Sequence, residues 1–180
     1  VFERRGFLDA RVADIVAEAR VAQGTFYTYF EDKEQIFEEV ARSAVNEVLA
    51  ALRVGIQPAD PYERVAAATR RFVDAYRPNA RIIALIEQVG TFTPAMRALR
   101  LELREEFVER SADGIRRLQE EGAADPAVDA RLIAEVLGSM VDQTCYVWLT
   151  LGRAFDEAEL VRAMADVWAR AVGIPVPARS

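Results

Sequence analysis

The chain has 180 residues, 52% of them apolar, and a net charge of −6, which is enough apolar material for a real core rather than a disordered tail. It contains no histidine, and this excludes His-ligated metal sites, a Ser-His-Asp centre and a histidine general base together. The acidic balance argues against gripping nucleic acid over the whole surface, which leaves room only for a local reading surface.

No apolar run approaches the roughly 18 residues that a membrane span needs. The single cysteine, Cys145, has no internal disulfide partner, which fits a reducing cytoplasm. The chain opens on Val1 rather than Met, and "VFERRGF" reads as the end of a helix. The natural protein is therefore expected to begin earlier, with its first helix continued upstream.

In chain order, every segment reads as helix, since none alternates with period two for long enough to make a strand. Residues 1 to 5 read as a helix tail closed by Gly6. Asp9 is placed to cap the next helix, whose Val12, Ile15, Val16 and Ala19 fall at helical spacing. After residues 24 to 30, Asp32 is the expected cap of a long helix from Lys33 to about Arg53. "GIQPADP", residues 55 to 61, is the clearest break, with one Gly and two Pro in seven positions. Beyond it the pattern predicts helices over about 61 to 77, 79 to 90, 94 to 121 (ending at Gly122), 127 to 152 and 156 to 172 (ending at Gly173). The organisation expected is an all-α protein with a small unit over 1–54 and a larger helical bundle over 55–180.

The segment "GTFYTYF", residues 24 to 30, is a poor helix former between two good ones. On a wheel of about 100° per residue, Phe26, Tyr29 and Phe30 share one face, which is the expected buried face. Gly24 and Thr28 point the other way, with Gln23, Thr25 and Tyr27 on the flanks. That outward surface is small, polar and uncharged. Such a surface lets a backbone approach a groove and offers hydroxyls and an amide to phosphates or base edges. With the preceding helix and the turn at Arg20 and Val21, the segment forms a helix-turn-helix.

At this point the sequence resembles the TetR family of transcriptional regulators. The likeness runs through "RRGF" and "VADIVAEARVAQGTFYTYFEDKEQIFEEV", about residues 4 to 40. It implies an N-terminal three-helix DNA-binding domain followed by a C-terminal helical bundle for ligand binding and dimerisation. Carried over residue by residue, it makes Gln23, Gly24, Thr25, Tyr27 and Thr28 the DNA-facing positions of the recognition helix. Lys33, the only lysine in the chain, corresponds to a phosphate-contacting lysine, and its place at a helix N-terminus runs against the helix dipole. Several positions depart from the family pattern. Arg20 stands where the family often has Gly, and Ala10, Arg11 and Ala22 stand where it often has Ser or Thr, Arg11 serving as a replacement phosphate contact. Gln23 stands where many relatives carry Arg or Lys. Residues 1 to 55 hold seven basic and ten acidic side chains.

For the larger unit, a ligand pocket needs apolar walls and a few polar groups. By helix face and resemblance the candidates are Phe72, Tyr76, Ile86, Val89, Phe92, Met96, Phe107, Gln143 and Tyr146, with a small apolar molecule as the ligand. Asp142, Gln143 and Thr144 interrupt an otherwise apolar helix and need polar partners. Cys145 reads as an inert buried thiol. The helices over 127 to 152 and 156 to 172 are apolar over most of their circumference. By resemblance they form a four-helix bundle with their copies in a second subunit, through Gly138, Val141, Trp148, Met164 and Trp168. No constellation of catalytic side chains and no cofactor site appears. Two readings remain. One is a homodimeric, ligand-responsive regulator of a palindromic double-stranded DNA operator, acting as a repressor. The other is an all-helical interaction protein that keeps the helix-turn-helix fold without operator binding.

Overall fold

A computed structural model describes residues 1–52 and 58–178 of the chain. Among these residues all regular structure is helical: α1 (Phe2–Asp9), α2 (Val12–Ala19), α3 (Gln23–Tyr29), α4 (Lys33–Ala51), α5 (Pro61–Val89), α6 (Pro94–Glu120), α7 (Ala130–Cys145) and α8 (Glu157–Ala171). A π-helical turn over Tyr146–Thr150 continues α7. The helix end expected near Arg53 and the break at Gly55 fall outside the described residues. None of the described helices is long and apolar enough to cross a membrane.

Local chemistry accounts for most of the helix ends. Asp32 accepts from Gln35 N at 2.8 Å, Asp129 accepts from the amides of Arg131 and Leu132 at 2.9 Å, and Asp156 accepts from Glu159 N at 2.9 Å. Each satisfies amides that a helix start leaves without a partner. At the C-termini, Gly122 (φ 71°) and Gly173 (φ 79°) take the left-handed conformation that an L side chain resists. Two expectations change at the N-terminal end. Gly6, at φ 74° and ψ 175°, interrupts α1 instead of closing it, so the helix resumes to Asp9. Asp9 is thus part of α1, and Arg11 caps α2, its amide bonding the Asp14 carboxylate at 3.2 Å.

The segments expected over 61 to 77 and 79 to 90 are one helix, α5, with Pro78 inside it. Proline there removes one backbone hydrogen bond and crowds the preceding turn. Apolar packing on both sides holds the helix through it: Val73 and Tyr76 are fully buried before the proline, and Ile82, Leu85 and Ile86 are buried after it.

The chain divides into two compact units: unit 1 comprises Val1–Asn46 and Arg81–Leu103, and unit 2 comprises Glu47–Ala80 and Arg104–Ser180. This partition interleaves along the sequence, unlike a single cut at 54/55. The reason lies in the core of unit 1. Phe37, with no exposed surface, takes the rings of Phe2 and Phe7 edge-on at 5.2 and 5.0 Å. Ile82, Leu85, Ile86, Val89, Met96, Leu99 and Leu103 belong to the same cluster. The N-terminal helices alone are too short a chain to bury a sufficient core, and residues 81–103 supply the remainder. Unit 2 has a core of small and β-branched residues, including Val108, Ala112 and Ile115 of α6, Ala130 and Ala134 of α7, and Ala169 of α8.

The turn between α2 and α3 has a built-in cost. Arg20 is the only described non-glycine residue at positive φ (56°). Its amide bonds Ala17 O at 3.3 Å, and the Val21 amide bonds Val16 O at 3.0 Å, closing α2 in a Schellman motif. A left-handed L-residue costs about 1–2 kcal/mol, partly offset by the greater freedom that glycine loses on folding. Arg20→Gly should therefore raise the unfolding free energy by up to about 1 kcal/mol, read from urea denaturation. A loss of stability would show that the arginine side chain contributes more than its backbone strain costs.

Candidate nucleic-acid interface and ligand cavity

Within unit 1, α2 packs against α3. Phe26, 5% exposed, is the buried residue of α3. The expected aromatic face is corrected in one respect: Tyr29 is 72% exposed. The helix ends at Tyr29 and Phe30 turns into extended backbone at φ −135°, so a regular wheel no longer places it. Phe30 lies half-buried with its ring 5.5 Å from Phe26 and fills the inward place that the wheel shared with Tyr29.

Gln23, Gly24, Thr25, Tyr27 and Thr28 are all exposed. A Cβ added to Gly24 would meet nothing within 4 Å, so no intramolecular contact requires glycine there. The Thr28 hydroxyl donates to Gly24 O at 3.1 Å, which fixes its rotamer and leaves its lone pairs outward. Tyr29 extends this hydroxyl-bearing surface, and its exposure was hidden from the wheel. Arg11 is exposed at the start of α2. The guanidiniums of Arg4 and Arg5 are paired with the carboxylates of Glu18 and Asp14, and Arg4 holds the Glu18 carboxyl below its usual range.

Lys33 has a structural role that its sequence position conceals. Its ammonium donates to Phe7 O at 2.8 Å and Leu8 O at 3.2 Å and sits 4.7 Å from the centre of the Phe7 ring. It starts α4 but serves the C-terminal end of α1, where the helix dipole favours a cation. An ammonium has three donors, and these contacts use two of them.

Unit 2 contains a cavity of about 430 Å3, within the size range of small-molecule sites. Its apolar walls include Val65, Ala68 and Phe72 of α5, Phe107 and Ile115 of α6, Val141 of α7 and Trp168 of α8. Arg64, Arg71, Arg110 and Arg117 also line it, with Glu121 as the one carboxylate among the described lining residues. Arg64 pairs with Glu121 at 2.6 Å. The Nε atoms of Arg64 and Arg71 are buried without a hydrogen-bond partner among the described residues. A buried donor left in that state costs about 1–3 kcal/mol.

Two of the nine ligand candidates, Phe72 and Phe107, are on this wall. The others are elsewhere. Ile86, Val89 and Met96 are in the core of unit 1, which claims the C-terminal half of α5. Phe92 is exposed, its ring 6.4 Å from Phe7. Tyr76 is wholly buried beside Phe72, Gln143 is exposed, and Tyr146 lies in the π-helical turn. Thr144 satisfies itself by donating to Met140 O at 2.7 Å. The four arginines escaped the sequence reading, although the spacing that groups them was visible: 64 and 71 on one helix, 110 and 117 on the next, each seven apart.

The residues named for a subunit interface mostly point inward. A Cβ on Gly138 would lie 2.8 Å from the Phe107 ring, so this glycine admits a neighbour within its own subunit. Val141 and Trp168 line the cavity and Met164 is buried. Trp148 is half-buried under the Arg77 guanidinium, 4.8 Å from its ring. The physical reason is that each helix here has two apolar faces, and wheel position alone does not tell which is turned in. The outward aliphatic residues are Leu132 and Val136 of α7, Leu151, and Val167 of α8. Cys145 has no exposed surface, and burial first, then Asp142, pushes its thiol up to about 12, which keeps it unreactive.

A short exposed helix following a Schellman-closed helix, on an all-helical scaffold, defines a helix-turn-helix protein. Residues 1–40 match the family of bacterial regulatory proteins known as the tetR family, and residues 65–173 match the C-terminal domain of the transcriptional regulator EthR. The chain belongs to the TetR family. The fatty acid metabolism regulator protein of Bacillus subtilis (strain 168) is 23% identical over 177 residues, 93% of this chain and 87% of that protein. Among solved structures, FadR from Bacillus subtilis in complex with stearoyl-CoA has a TM-score of 0.75 at 18% identity, covering 98% of this chain and 94% of that one. PfmR from Thermus thermophilus has a TM-score of 0.72 at 21% identity, with 98% and 94% covered.

The geometry of Lys33 makes a prediction that is independent of DNA. Lys33→Ala removes two charge-assisted bonds and a cation–π contact, and should lower the unfolding free energy by about 1–3 kcal/mol. Urea denaturation of the variant measures it. Unchanged stability would mean that these contacts are no better than the hydration they replace.

Proposed function

We propose that the chain is a homodimeric DNA-binding transcriptional regulator, a repressor released from a palindromic operator by a small, largely apolar molecule. The observation that carries this reading is the outward face of α3. It is polar, uncharged and bare at Gly24, and the helix is held by Phe26 from behind. Gln23, Thr25 and Thr28 are the base-facing groups in this reading. Tyr27, Tyr29, Arg11 and the third donor of Lys33 contact phosphates. The functional partition is the helix-turn-helix over 1–54 and ligand binding and dimerisation over 55–180. The stearoyl-CoA bound to the Bacillus subtilis FadR structure supports a molecule with a long apolar chain as the effector. The cavity walls at Phe72 and Phe107 are the matching surface here.

One observation favours the second reading, a helical interaction protein without operator binding: Arg4 and Arg5 already spend their charge on Glu18 and Asp14. Gly24→Ala separates the two. It adds only a methyl group to open space, so helix stability should hold or rise by about 0.5–1 kcal/mol. DNA affinity, measured by fluorescence anisotropy, should fall, because the added methyl stands where the groove approaches. Equal DNA affinity in the variant contradicts close approach at Gly24.

A two-fold dimer gives two short recognition helices enough contacts by reading two half-sites. The exposed aliphatic residues of α7 and α8, with Leu151, are the surface available to the partner. Sedimentation at micromolar concentration should show a dimer, and Val136→Arg should shift it to a monomer of unchanged helix content. A wild-type monomer under these conditions contradicts the assembly.

Ligand and operator are linked through two states of the dimer, each preferred by one of them. A coupling of about 1–3 kcal/mol changes operator affinity roughly 5- to 150-fold, and saturating DNA must weaken ligand binding by the same factor. Calorimetric titration of a cavity-binding lipophile with and without operator DNA tests this. Identical affinities in both titrations exclude that molecule as the effector.

A further inference from the structure

The cavity of unit 2 is not uniformly apolar. Arg64 and Arg71 lie two turns apart on one stripe of α5, and Arg110 and Arg117 lie two turns apart on one stripe of α6. Four arginines thus line the same space, and among the described lining residues the single carboxylate, Glu121, is engaged with Arg64. A surface charge run would be solvated, and a structural ion-pair network would bring matching carboxylates. Neither describes Arg71. It has no ion pair or hydrogen bond among the described residues, and its Nε is shut off from solvent. A donor in that position is strongly satisfied only by an acceptor that enters the cavity, and a planar guanidinium matches an oxyanion best.

We infer that the molecule this cavity takes is an amphiphilic anion, with an apolar chain against Phe72, Phe107 and Trp168 and an oxyanion head group on Arg71 and Arg64. The inference rests on the reading of this cavity as the effector site and sharpens it: the ligand is apolar at one end only. The oxyanion can be the carboxylate of a free acyl chain or the phosphates of a conjugate that carries one.

The test is calorimetric titration of the full chain with three probes that share a twelve-carbon chain: dodecanoate, dodecanoyl-CoA and dodecan-1-ol. At least one of the two anions should bind ten-fold or more tightly than the alcohol, and the tighter anion identifies the source of the oxyanion. Arg71→Met should weaken anion binding and cut the preference at least five-fold, with Arg64 retaining the remainder, and Arg71→Lys should restore part of it. Without ligand, Arg71→Met should melt at the same temperature as wild type or higher, since an unpartnered buried donor is removed. Equal binding of alcohol and anions to the wild type overturns the inference while leaving the cavity as a ligand site. An intact preference in Arg71→Met, or a lowered melting temperature, overturns the role of Arg71. If none of the three probes binds, both the inference and the effector-site reading fall.

Discussion

A helix of seven residues has almost no stability of its own in water, and α3 contains a glycine and two threonines besides. Its existence depends on being held from one side. Phe26 provides the buried anchor and Phe30 closes over it, while the Schellman turn at Arg20 fixes where the helix starts. The same dependence passes down the chain. The aromatic cluster of Phe2, Phe7 and Phe37 is the core of the unit that carries α3, and residues 81–103 complete it. Lys33 ties α4 to the last carbonyls of α1 and packs over Phe7. Stability is thus supplied from behind, and the outward face of α3 is left free of structural duty.

Unit 2 solves a different problem. Its core is made of alanine, valine and isoleucine, which let α6, α7 and α8 approach closely, and Gly138 admits the Phe107 ring. Between that core and α5 the packing gives way to a cavity, and polar side chains intrude where a purely structural bundle would place leucine. Buried donors without partners are destabilising, and such sites concentrate where function demands them. Helices α4, α5 and α6 each contribute residues to both units.

The helical class and most helix ends were legible because they rest on local chemistry. Asp32 could be read from the sequence, and so could Gly122 and Gly173, since few residues adopt a left-handed conformation without cost. Phe26 was legible because one aromatic at the centre of a short helix has one place to go. What failed depended on longer range. Pro78 marks a helix boundary by local rules, yet burial on both sides carries α5 through it. The wheel put Tyr29 inside because it assumed that the helix continued. Gly138, Val141, Met164 and Trp168 were assigned to a partner because an apolar residue on a doubly apolar helix does not reveal which side is inward. Lys33 is unfavourably placed for the dipole of its own helix, and the approach of α1 explains its position. The arginines of the cavity were legible as a seven-residue spacing, but nothing in the sequence said that α5 and α6 turn those stripes toward one space.

The central claim is that α3 presents a surface for duplex DNA. The most direct measurement is a salt titration of the full chain on the DNA upstream of its own gene, with an unrelated duplex of equal length as competitor. The account predicts a saturable complex on the upstream DNA that the competitor does not displace. It also predicts affinity that falls linearly in log–log form with salt, as phosphate contacts require. Equal binding to both duplexes, or no binding at low salt, contradicts it.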